Sequence, residues 1–154
     1  METKNLAELI KKAGKSKRVG EFKCPYISEF YVSIAHASKF ILTQIREVAR
    51  ETWTNPRTRE REEKFNDDKL RKEYSRQIVI NWRGLTAEKL QHILPGLKIV
   101  GKENTDDIPY SSVIAEAILE VSLEFENWAI DIATNVENYS HIAEEKGKEL
   151  ENLK

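Results

Sequence analysis

The feature that most restricts the fold lies between Asn66 and Gly84, where Leu70, Tyr74, Ile78 and Trp82 recur at four-residue intervals. Side chains four apart share one face of an α-helix, so such a stripe needs an apolar surface to cover it. Asn66 is a capping residue, and Asp67 and Asp68 stand where negative charge suits the helix dipole. Gly84 supplies the positive φ that commonly ends a helix. Thr86 then caps the next helix, AEKLQHIL, which Pro95-Gly96 closes. Trp82 thus falls at a helix–turn–helix corner, its ring packed against Leu85 and the core. A Trp in a recognition loop would need basic or polar company, and only Arg83 offers it.

The rest of the chain is read against that helical frame. Leu6, Leu9, Ile10 and Ala13 predict a short helix over residues 3–13, ended by Gly14. In EFYVSIA, Phe30, Val32 and Ile34 alternate with Tyr31, Ser33 and Ala35, the two-residue period of a half-buried strand. Val19 to Cys24 is its expected hairpin partner, and such a hairpin must lie on helices to be stable. Ser38 caps a helix whose stripe is Ile41, Leu42, Ile45, Val48, Ala49 and Trp53, stopped at Asn55-Pro56. Residues 55–65, NPRTREREEKF, read as a polar surface connection, in part helical. After a loop with a short extended piece at Leu97 to Val100, a helix runs from Ser111 to Glu120. Ser122 restarts a longer one carrying Phe125, Trp128, Ile132, Val136 and Tyr139. The expected fold is therefore mainly α: a compact helical domain with a small N-terminal β-hairpin and a long C-terminal helix. Residues 1–154 form one domain, with 1–18 a flexible helix and basic arm, and 141–154 a frayed helical tail.

Composition narrows the function by exclusion. A chain of 154 residues can bury a core without staples, and its single cysteine, Cys24, allows no internal disulfide and fits a reducing compartment. No apolar run approaches the ~20 residues of a membrane span, and the start of the chain lacks a secretory apolar region, so a cytoplasmic protein is expected. The net charge of −1 gives no global attraction to nucleic acid. Charge is nevertheless uneven. Lys11 to Lys23 holds six basic residues and one acid, and Gly101 to Glu126 holds seven acids and one lysine. These are solvated surfaces, or a basic arm that meets an acidic partner such as a second copy.

The search for chemistry finds no phosphate-binding, dinucleotide or nucleophile-elbow motif. His36, His92 and His141 lie apart, without partners at metal-ligand spacing. Cys24 reads as a structural thiol, and Asp67-Asp68 and Asp106-Asp107 match no calcium loop. No catalytic residue, cofactor or metal is expected. A DNA-reading helix would rest on Lys89, Gln91 and His92 alone.

Four segments carry a resemblance: FKCPYISEFYVSIAHAS, INWRGLT, DDIPYS and EFENWAIDIA. In order and spacing they resemble the siphophage tail assembly chaperone family of long-tailed bacteriophages. There a Trp-x-Gly turn, an acidic loop, an Ile-Pro-Tyr-Ser helix start and a Phe-x-x-Trp helix follow one another. Here those positions are Trp82 and Gly84, Ile108 to Ser111, and Phe125 with Trp128. The charged ending EEKGKELENLK is similar to that family's tails. The resemblance covers about residues 20–140. It implies a non-enzymatic protein of the host cytoplasm that coats the tape measure protein, helps recruit the tail tube protein and is absent from the finished particle. A structural virion or tail completion protein, or a small nucleic-acid-binding regulator, stands as the alternative. The expected partner contacts are apolar residues of the C-terminal helix, Ile142, Leu150 and Leu153.

Overall fold

The computed structural model describes residues 3–15, 17–99, 101 and 103–142. The elements are α1 (Thr3–Lys15), β1 (Val19–Lys23), β2 (Tyr31–Ala35), α2 (Lys39–Ala49), β3 (Arg50–Thr54), β4 (Arg61–Phe65), α3 (Asp67–Gln77), β5 (Val79–Arg83), α4 (Ala87–Ile93), α5 (Ser112–Val121) and α6 (Leu123–Thr134), followed by a 3₁₀ turn at Val136–Tyr139. The expectation of a mainly α fold with one N-terminal hairpin is overturned: the protein is mixed α and β. An antiparallel sheet of order β1-β2-β5 forms its centre, and β3 and β4 form a second, two-stranded ribbon.

The expected β1–β2 hairpin is present, pairing Val19 with Ala35 through Lys23 with Tyr31. What the four-residue stripe concealed is β5. The helix that carries Leu70 and Tyr74 stops at Gln77, and Ile78 makes its last amide bond, to Tyr74 O at 3.0 Å. Ile78, Val79 and Ile80 are stiff at χ1 and fit a pleated surface better than a helix. The chain therefore extends, and Trp82 lies opposite Val32 in the sheet. Trp82 is buried, as expected, but on a strand; the corner is strand–turn–helix. A bulge between Ser33 and Ile34 shifts the register, which places Val79 rather than Ile80 opposite Ile34.

Three further boundaries move. α2 ends at Ala49, so Trp53 belongs to β3, and the expected polar connection is the β3–β4 hairpin. All ten strand residues of that hairpin are exposed, so neither face alternates and the two-residue signal is absent. The long C-terminal helix ends at Thr134, and Val136 and Tyr139 lie in the 3₁₀ turn. Residues 97–99 form no strand, and residues 143–154 lie outside the described part.

The core lies between one face of the sheet and the helices. Val32, Ile34, Val79 and Trp82 meet Ile41 and Ile45 of α2, Ala115, Ile118 and Leu119 of α5, and Phe125, Ala129 and Ala133 of α6. Tyr139 closes the far end: it is fully buried, and its hydroxyl donates to Ile34 O at 3.0 Å.

The turn after β5 is held by close approach. Gly84 has φ of 79°, and a Cβ there would stand 2.1 Å from Glu29 O. The Lys89 ammonium donates to Gly84 O at 2.8 Å and Glu29 O at 3.2 Å, joining the two turns. Gly96 has φ of 91° but no atom within 4 Å of the same position. Gly84→Ala is therefore expected to lose more than ~2 kcal/mol, from backbone strain plus collision, and Gly96→Ala only ~1 kcal/mol. Urea midpoints of the two variants measure the difference; equal losses would contradict the close packing.

Candidate functional site

An open, mainly apolar concavity lies on the outer flank of α2. Ser38 opens that helix, its hydroxyl accepting the Ile41 N–H at 3.3 Å. Ile41, Ile45 and Ala49 then face the core. The helix is apolar over more than that face: Phe40 is 39% exposed and Val48 51% exposed. Together with Thr43, Gln44, Glu47 and, from the end of α3, Gln77, they line a groove of about 470 Å³. The sequence pattern had placed Val48 in the core stripe and passed over Phe40. The available signal was a stripe wider than one buried face needs. Beside α2 packs α1, where Leu6, Leu9 and Ile10 are each at least half exposed.

The groove is electrostatically quiet. Glu47 pairs with Arg50, the first residue of β3, and among the described residues no other ionised group lines it. A shallow apolar trough between polar walls suits the apolar face of a helix.

A second concavity, of about 310 Å³, separates the 24–29 loop from α4 and is lined by Tyr26, Ile27, Ser28, Glu88, Lys89 and His92. Its ionisable groups do not assemble into reactive chemistry. Lys89 is engaged by the two carbonyls already described. Cys24 is buried beside the loop, its amide donating to Phe30 O at 2.9 Å, and burial pushes its thiol up, away from the reactive thiolate. Among the described residues no group of three His, Cys, Asp or Glu could hold a metal ion.

The three histidines lie in three places. His92 lines the second concavity and His141 is exposed after the 3₁₀ turn. His36 sits between β2 and α2 with its ring centroid 5.0 Å from that of Tyr139. Asp68 pairs with Arg71 at 3.2 Å, and Asp106 accepts the Glu103 N–H at 2.8 Å, so the acidic pairs have local roles.

Of the expected contact residues, Leu150 and Leu153 lie outside the described residues. Ile142 is half-buried against this chain: its Cδ1 would lie 2.7 Å from a Cβ at Gly20. The basic segment is also divided. Lys11 and Lys12 ride on α1, Arg18 donates to Tyr139 O at 3.2 Å, and Lys23 ends β1.

The candidate surface of this mixed α and β protein is thus the apolar flank of one helix. Residues 34–152, well over half of the chain, match the family described as YdaY prophage protein, and the chain belongs to that family. The match begins in β2 and includes the α2 groove, the β3–β4 hairpin and all later elements, leaving α1 and β1 outside. No curated protein and no solved structure matches the chain. Among the described residues no helix is long and apolar enough to cross a membrane.

His36 gives the fold a pH dependence. Burial, and then the charge of Arg18, hold its imidazole below the ordinary value of 6.5. The unfolded chain therefore takes up the proton first, and stability present above pH 6.5 falls as pH drops through the lower folded-state value. His36→Gln is expected to flatten this acid limb in melts between neutral and mildly acidic pH. An unchanged slope would contradict the assignment.

Proposed function

We propose that this prophage protein is a non-enzymatic tail assembly chaperone, which covers apolar helical segments of the tape measure protein in the host cytoplasm and assists tail tube assembly. The observation that carries this reading is the α2 groove with Phe40 and Val48 exposed at its two ends. Eight residues of helix separate them, a span of about 12 Å, matching two turns of a docked amphipathic helix. Membership of a prophage family supports a phage partner, and the order of the Trp82, Ile108-Pro109 and Phe125 segments supports a chaperone of the tail. The exposed apolar side chains of α1 widen the surface beside the groove.

Co-expression with the long helical protein encoded downstream tests the reading. The long protein should stay in the soluble fraction and carry several copies of this chain. Val48→Asp and Phe40→Asp should each weaken capture by ~10-fold or more, since each removes roughly 1.5–3 kcal/mol of apolar burial. A long protein that stays insoluble, or one captured by both variants as tightly as by the wild type, would overturn the assignment.

A further inference from the structure

The β3–β4 hairpin is an arm that no other element of the described residues covers. Every strand residue is exposed on both faces, and a two-stranded ribbon is marginal in water by itself. Its base is fixed: the Asn66 N–H donates to Ala49 O at 2.8 Å, and Glu51 receives the Asn66 amide and the Lys69 ammonium, each at 3.1 Å. Its tip is fixed too. The Asn55 side chain accepts the Arg57 N–H at 2.9 Å, the Asn55 N–H donates to Glu60 O at 2.9 Å, and Arg59 has φ of 60°. This ordered turn presents Arg57, Arg59 and Arg61, none of which forms an ion pair among the described residues. Behind them, Trp53 and Phe65 are 40% and 50% exposed, on opposite faces of the ribbon.

A complementary surface stands at the α5–α6 corner. Val113, Val121 and Leu123 are 72%, 67% and 69% exposed, the largest departures from burial among the apolar residues of the described chain. Val113, Glu120 and Val121 share one side of α5 at i, i+7 and i+8, and Glu116 and Glu124 flank them. None of the three glutamates pairs with a cation among the described residues. The corner also lies at the end of the molecule from which the arm springs. Tyr110, just before α5, reaches Ser75 O and Val79 O at the end of α3, so α5 runs back toward the start of α3. There Arg71 pairs with Glu126 of α6 at 3.7 Å.

We propose that the arm of one copy clasps the α5–α6 corner of a second copy. The tip arginines meet Glu116, Glu120 and Glu124, and the Trp53 ring, on one face of the arm, covers the exposed valines and Leu123. Because arm and corner share one end, a two-fold axis lets both contacts form at once, each copy giving an arm and receiving one. Trp and Arg are the residues that most often carry binding energy at such contacts. The inference is independent of the tape measure reading, since the α2 groove is not used.

Sedimentation of the full chain tests it. The wild type should form a dimer that weakens as salt rises. The R57E/R59E/R61E variant and the E116K/E120K/E124K variant should each dimerise about 10-fold or more less tightly. Mixed in equal amounts, the two variants should regain the dimer, because each reversed arm meets a reversed corner. Circular dichroism checks that each stays folded, and R57S/R59S/R61S, confined to the exposed tip, repeats the test without new charge. A wild type monomeric at every concentration would overturn the proposal. So would a dimer indifferent to the arm, a mixture that stays monomeric, or arm-dependent binding of duplex DNA by a monomer.

Discussion

The rest of the structure depends on how Trp82 is held. Its indole N–H donates to Ile108 O at 2.9 Å inside the core, and its ring meets Tyr110 edge-on at 4.9 Å and Phe30 at 6.4 Å. A buried indole N–H without an acceptor would cost about 1–3 kcal/mol, so the strand and the 106–110 loop must arrive together. That loop is already tied to the turn after β5: the Ile108 N–H donates to Leu85 O at 2.8 Å and the Ala87 N–H to Asp106 O at 3.0 Å. Tyr110 then brings α3 and the start of α5 to the same point. One residue thus joins the sheet, the loop and the helical layer. Phe30 stacks onward to Phe125 at 6.4 Å, extending the contact into α6.

The sequence made much of this legible because capping and burial are local. Asn66, Thr86 and Ser122 cap where their residue types said they would, each accepting an amide three residues on. The β1–β2 alternation was also plain. The misreadings share a cause. Leu70, Tyr74, Ile78 and Trp82 fit a helical period, but two of the four lie beyond the helix, where Ile78-Val79-Ile80 prefers an extended chain and β2 offers a partner. A pairing partner some fifty residues away leaves no mark on local periodicity. The β3–β4 ribbon failed to register for another reason: with water on both faces it has no apolar alternation, and its turn lacks the Asn-Gly signal.

The candidate surface was less legible than the fold. Apolar spacing marks which residues seek cover but not which obtain it. Val48 looks like a core residue in sequence, and only the packing of α2 against the sheet turns it outward. Ile142, an expected partner contact, is half-buried beside Gly20. Cys24 was read as structural, and burial pushes its thiol up, away from the reactive thiolate.

The most direct test places a photo-reactive amino acid in the groove, at position 48, and compares it with one in the second concavity, at position 92, in the proposed complex with the long helical protein encoded downstream. The account predicts crosslinks from position 48 to apolar helical segments of that protein and few from position 92. Crosslinks confined to position 92, or none to that protein from either position, would contradict it.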